Sequence, residues 1–142
     1  MSNVASILLR KNRPPVVVSP DTTILSALRI MEEKNIGSVI VMDGDKYLGL
    51  MTERDYSRKV VLKDKDSATT LVSEIMSADL PPVSPKDNID HCMQLMTTHN
   101  TRYMPVFENN RFAGIISMSD VVKETILAQK ETINHLQSYI NS

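Results

Sequence analysis

Two short segments carry the residue types best suited to holding a polar small molecule: Gly49-Leu50-Met51-Thr52-Glu53-Arg54-Asp55 and Gly114-Ile115-Ile116-Ser117-Met118-Ser119-Asp120. Each runs glycine, two apolar residues, a hydroxyl, two variable residues, aspartate. An apolar run that meets a hydroxyl reads as the end of a strand passing into a helix, and a helix start exposes backbone N–H groups that suit a phosphate. A hydroxyl beside them adds a contact, and a carboxylate can accept both hydrogen bonds of a ribose diol. The chemistry in view is nucleotide binding. The same pairs, Thr52 with Asp55 and Ser117 with Asp120, also fit a helix capping box with Asp in place of the usual Glu or Gln. A glycine three residues ahead of each hydroxyl, in both copies, fits a close backbone approach to a ligand better than two independent caps.

Catalysis finds little to work with. His91, His99 and His135 stand apart, without metal-ligand spacing, and no nucleophile has a base beside it in the sequence. Cys92 falls on an apolar helical stripe and reads as a small core residue; the nine methionines are mostly core as well. The expectation is a protein that is not an enzyme and requires no cofactor or metal. Lysine and arginine total 16 against 17 acidic residues, so no basic field favours nucleic acid. No segment approaches the roughly 20 apolar residues that span a bilayer. The start lacks a charged segment followed by an apolar one, and one cysteine cannot form an internal disulfide, so a cytoplasmic protein is expected.

The two segments belong to a duplicated unit. One constant shift carries Val18-Ser19-Pro20 onto Val83-Ser84-Pro85, Ile24 onto Ile89, Met31 onto Met96, Asn35 onto Asn100, Val41 onto Val106, Gly49 onto Gly114 and Asp55 onto Asp120. In the first unit, Val16 to Val18 is a short β-branched run. Ile24, Ala27, Leu28 and Met31 then recur at helical spacing behind the caps Thr22 and Thr23. Ser38 to Met42 and Lys46 to Met51 flank the turn Asp43-Gly44-Asp45 as a hairpin, and a second helix is expected from about Glu53 to Leu62. The second unit repeats this with Val83, the stripe Ile89, Cys92, Met93 and Met96, the strands Tyr103 to Phe107 and Arg111 to Ile116, and the turn Glu108-Asn109-Asn110.

The fold class is therefore α/β in the α+β sense: two β-α-β-β-α repeats, over residues 1–62 and 71–126, joined by a polar linker at 63–70. A three-stranded sheet carrying two helices cannot bury both faces alone, so the repeats are expected to pack sheet to sheet through a pseudo-two-fold axis. A helical extension over 127–142 continues a stripe of Ile126, Ile133 and Ile140, which suits either its own domain or a partner helix.

These residues resemble the tandem cystathionine β-synthase (CBS) domain family, or Bateman module, whose repeats have this element order and a Gly-hydrophobic-x-Thr/Ser-x-x-Asp signature. The resemblance covers nearly the whole chain. It is strongest to short stand-alone pairs, in which a stretch similar to Thr52-Glu53-Arg54-Asp55-Tyr56-Ser57-Arg58-Lys59-Val60 is followed by one like Val72-Ser73-Glu74-Ile75-Met76.

The resemblance implies an adenosyl ligand between the repeats: AMP first, with ADP, ATP, NAD or S-adenosylmethionine as alternatives. By the family pattern, Asp55 and Asp120 would hold ribose hydroxyls, and Thr52 and Ser117 would contact ribose or phosphate. Val18, Val83, Met104 and Pro105 would sandwich the adenine, with backbone near Thr23 and Asn88 reading its edge. The halves differ, with Arg102, Tyr103 and Pro105 in the second where the first has Gly37, Ser38 and Ile40, and Arg54 in the first where the second has Ser119. Arg54 and Arg102 would clamp phosphate. The family also implies a homodimer that signals to a regulated protein. The competing reading is an interaction scaffold with vestigial clefts, in which the hydroxyl–aspartate pairs only cap helices.

Overall fold

The computed structural model describes residues 2–11 and 13–141. Along the chain run α1 (Val4–Arg10), β1 (Val17–Val18), α2 (Ile24–Lys34), β2 (Ser38–Asp43), β3 (Lys46–Thr52), α3 (Glu53–Lys59), a 3-10 turn at Val61–Lys63, α4 (Val72–Ile75), α5 (Ile89–His99), β4 (Tyr103–Glu108), β5 (Arg111–Ser117) and α6 (Met118–Ile140). From β1 to α3 and from Val83 to α6 the order is the β-α-β-β-α expected twice.

The duplication reaches the details of capping. α2 and α5 begin on Thr23 and Asn88, whose side-chain oxygens accept from the N–H of Ser26 (3.2 Å) and of His91 (2.8 Å). They end on Asn35 and Asn100, both left-handed at φ 53° and 50°, a conformation that asparagine tolerates better than most residues. Between the caps, Ile24, Ala27 and Met31 in one helix and Ile89, Cys92 and Met96 in the other form the buried stripe. Both hairpins carry an irregularity at the same place, between Val41 and Met42 and between Val106 and Phe107. Their two-residue turns use left-handed residues, Gly44 in the first and both Asn109 and Asn110 in the second.

The repeats part at the first strand. In the first, β1 pairs in parallel with β2, Val17 opposite Ile40 and Val18 opposite Val41. In the second, only Val83 bridges Val106, so the expected strand is reduced to one residue beside the β4–β5 hairpin. The cause is Pro105. Ile40 donates its N–H to the Val16 carbonyl at 3.0 Å, and proline in the corresponding place has no N–H to donate.

The chain divides into two compact units whose membership crosses the repeats. One is Pro15–Asp79; the other joins the residues up to Pro14 with those from Leu80 onward. In the second of these units α1 lays Val4 and Ile7 into the core of Val83, Ile89, Cys92, Met96, Met104, Val106, Ile116 and Val121. In the first, α4 lays Val72 and Ile75 into the core of Val18, Ile24, Ala27, Met31, Val39, Val41, Met51 and Val60. The backbone attachments match: Val4 and Ala5 donate to the Asp87 and Pro85 carbonyls (2.9 and 3.0 Å), and Val72 and Ser73 donate to those of Thr22 and Pro20 (2.8 and 3.2 Å). Each helix thus precedes one repeat in sequence and closes the core of the other. Residues 63–70, polar in sequence, also fasten to the unit before them: Leu25 and Ile24 donate to the carbonyls of Ser67 and Thr70, each at 2.9 Å.

Ile7→Ala and Ile75→Ala should each cost about 2–5 kcal/mol, since both side chains are buried. Amide hydrogen exchange distinguishes them. Ile7→Ala is expected to loosen α5 and leave α2 protected, and Ile75→Ala to do the reverse. Loosening of the repeat that follows each helix in sequence would contradict the crossed packing.

Candidate functional site

The two hydroxyl–aspartate segments are strand-to-helix junctions, as their composition suggests. Thr52 ends β3 and caps α3; Ser117 ends β5 and caps α6. At both, the hydroxyl accepts the N–H of the aspartate three residues on, at 3.1 Å. The aspartate carboxylate in turn accepts the backbone N–H of Thr52 (3.0 Å) or of Ser117 (2.8 Å). Both are full capping boxes.

The rest of their surroundings differ. Asp55 is only 4% exposed, and both its oxygens are taken. Oδ1 accepts from the Ser77 hydroxyl (2.8 Å) and pairs with Lys59 Nζ (2.9 Å), while Oδ2 accepts from the Thr52 hydroxyl (3.0 Å) as well as its N–H. Asp120 is more open. Its Oδ2 pairs with Lys11 Nζ at 2.9 Å and accepts the Ser117 N–H, and its Oδ1 accepts nothing among the described residues. Lys11 also donates to the Ile115 carbonyl at 2.8 Å.

Neither Lys11, Lys59 nor Ser77 was marked by the sequence reading. Lys59 had a signal, since it lies one helical turn beyond Asp55, the spacing at which opposite charges meet on a helix. Its equivalent in the second repeat is Glu124, an acid, so no such pair can form there. Glu124, itself 2% exposed, instead pairs through Oε2 with Arg10 Nε at 3.2 Å. Two consecutive cations at the end of α1 therefore serve the second junction as Lys59 alone serves the first.

The glycines of the signature answer to the chain itself. A Cβ on Gly49 would lie 2.6 Å from the Ser77 carbonyl oxygen, because Ser77 runs antiparallel to Leu50 and exchanges both backbone hydrogen bonds with it (3.0 and 2.8 Å). Gly114 has φ +153°, and a Cβ there would meet Leu8 of α1 at 3.2 Å. What closes on these glycines is the chain itself, the Ser77 backbone following α4 in one unit and the Leu8 side chain of α1 in the other.

The remaining expected residues fall in three settings. Val18, Val83 and Met104 are members of the buried cores, and Pro105 is buried beside them. Thr23 and Asn88 are helix caps. Ser38 and Tyr103 pair across their hairpins with Thr52 and Ser117, so they stand next to the junctions, and Met118 donates its N–H to the Arg102 carbonyl at 2.8 Å. Arg54 is half-buried in the first turn of α3, and Ser119 is exposed in that of α6. Among the described residues no group of three or more His, Cys, Asp or Glu could hold a metal ion, and no helix is long and apolar enough to cross a membrane. Cys92 is buried in its core. Burial, with a smaller push from the Asp87 carboxylate, raises its thiol to about 11.

The CBS domain family model matches the chain twice, over residues 4–62 and 72–126. A solved CBS-domain protein from Burkholderia ambifaria is 42% identical, with a TM-score of 0.84, covering 90% of this chain and 96% of that one. A mitochondrial CBS domain-containing protein of Arabidopsis thaliana is 32% identical over 84% of this chain, which spans 61% of that relative's length. A cyanobacterial CBS-CP12 protein described as hexameric is 28% identical, with a TM-score of 0.72, over 86% of this chain and 70% of its own.

Asp55→Ala removes the acceptor of four donors in a buried setting and should cost about 3 kcal/mol in chemical denaturation, against about 1 kcal/mol for Asp120→Ala. Equal losses would contradict the difference in their surroundings. The Cys92 thiol should resist alkylation at neutral pH until the protein is unfolded. Its folded value exceeds the unfolded one, so its contribution to stability is full below about pH 9 and is lost as pH rises through about 11. Rapid labelling of the native protein at pH 7 would contradict this.

Proposed function

Because this chain belongs to the CBS-domain family, as two repeats in one polypeptide, we propose that it is a non-catalytic regulatory module that binds an adenosine-containing nucleotide and signals through its contacts with other chains. One observation carries the reading: both repeats bring a hydroxyl and an aspartate together at a strand-to-helix junction. The hydroxyl–aspartate pairs, Thr52 with Asp55 and Ser117 with Asp120, are the two candidate ribose and phosphate contacts, and Arg54 and Arg102 are the phosphate-binding cations. Val18, Val83, Met104 and Pro105 form the apolar surroundings of the base, with backbone near Thr23 and Asn88 at its edge. AMP is the first ligand to test. The setting is cytoplasmic, with a reduced cysteine.

The output needs a second chain, and α6 offers a surface for one. Val122, Ile126, Ile133, Leu136 and Ile140 are exposed large apolar residues along it. A homodimer through this helix is the simplest assembly, and ligand shifts its arrangement only as far as its affinity for two arrangements differs. The same stripe also supports the scaffold reading, in which the capping boxes are purely structural and α6 makes the functional contacts.

A thermal-shift and calorimetric panel of AMP, ADP, ATP, NAD and S-adenosylmethionine tests the proposal. At least one of them should raise the melting temperature, by the amount that mass action sets from its dissociation constant. A folded protein that answers to none of the five is a scaffold, and the partner of α6 becomes the question.

A further inference from the structure

The two carboxylates that the proposed function uses alike are not equally able to accept a ribose. An ionised carboxylate has about four lone-pair positions. At Asp55 four donors from this chain occupy them: the Ser77 hydroxyl and Lys59 ammonium on Oδ1, the Thr52 N–H and hydroxyl on Oδ2. At Asp120 only Oδ2 is engaged, by the Ser117 N–H and the Lys11 ammonium. Its Oδ1 is uncommitted among the described residues, and the Ser117 hydroxyl, which accepts the Asp120 N–H, does not donate to the carboxylate as that of Thr52 does. A ribose diol brings two donors and needs two acceptor positions on one carboxylate. Only Asp120 has them.

We propose that this protein binds one adenosine nucleotide per chain, with its ribose on Asp120, and that Ser77 and Lys59 lock Asp55 into a structural role that excludes a second ligand. The inference rests on the nucleotide reading and adds the occupancy and the residues that set it. The lock is a property of this sequence. Lys59 has an acid, Glu124, as its equivalent in the second repeat, and Ser77 reaches Asp55 because its own backbone is pinned to Leu50. The second junction takes its cation instead from Lys11, which like Lys59 meets one carboxylate oxygen but shares that oxygen, Oδ2, with the Ser117 N–H.

The test is titration calorimetry of the full chain with AMP, ATP and S-adenosylmethionine, and with 2′,3′-dideoxy AMP as the analogue without the diol. The wild type should bind one ligand per chain and prefer AMP to the dideoxy compound by at least about tenfold, the worth of a hydrogen bond to a charged acceptor. Asp120→Asn, which keeps an oxygen for the Ser117 N–H, should lose that preference and weaken AMP by at least about tenfold. Asp55→Asn should lower the melting temperature more than Asp120→Asn does, because it disturbs four donors rather than two. Ser77→Ala combined with Lys59→Met should free Oδ1 of Asp55 and raise the stoichiometry towards two.

Two ligands per wild-type chain, or undiminished binding by Asp120→Asn, would overturn the proposal even if the Asp55 variant fails to fold. One ligand per chain in a folded Ser77/Lys59 double variant would overturn the lock. If the wild type binds none of the five compounds of the thermal-shift panel, the nucleotide reading itself fails and this one with it.

Discussion

Each repeat is one helix short of a closed core, and the missing helix comes from the segment ahead of the other repeat. The two buried residues that α1 and α4 each contribute do little for helices of seven and four residues, which are too short to persist alone. They form because a sheet and two longer helices already wait for them. Asn3 caps α1 by accepting the Ser6 N–H of its first turn, and Glu74 accepts the N–H of the cap residue Leu71 at the start of α4, so each helix start satisfies a different donor. The crossing then fixes what lies over each strand-to-helix junction. The residues following α4 run along β3 and bring Ser77 to Asp55, while the end of α1 brings Leu8 to Gly114 and Lys11 to Asp120.

The sequence displayed what repeats and hid what crosses. The α2 and α5 stripes, the hairpins and the junctions were legible because the same residue types recur under one shift, including Asn35 and Asn100, which the structure explains as left-handed helix ends. The helices α1 and α4 had no such signal. Val4 with Ile7, and Val72 with Ile75, are single apolar pairs whose partners lie far away in the chain. The shortened first strand of the second repeat was readable in principle, since Pro105 removes a donor that Ile40 provides. The two hydroxyl–aspartate pairs were found, but the residues that make them unequal were not: Ser77 and Lys11 reach their aspartates only through tertiary contact.

Duplication and divergence meet in the charges. At the first junction the aspartate is neutralised within its own helix, Lys59 standing four residues beyond Asp55. An acid at the equivalent place, Glu124, turns the second junction into two carboxylates on neighbouring turns of α6, a repulsive pair unless cations come from elsewhere. Arg10 and Lys11 come from α1, and Arg10 also lies 3.9 Å from Glu131 two turns further along α6. Glu124 is 2% exposed and its carboxylate meets the Arg10 guanidinium at 3.2 Å, so α1 and α6 are held together at a buried charge pair. At the first junction the cation comes from the helix that carries the aspartate, and Lys59 also donates to the Ile75 carbonyl of α4 at 2.9 Å. Of the two copies, one finds its cation within its own helix, and the other relies on a helix end that follows only seven residues of helix and carries both of its cations.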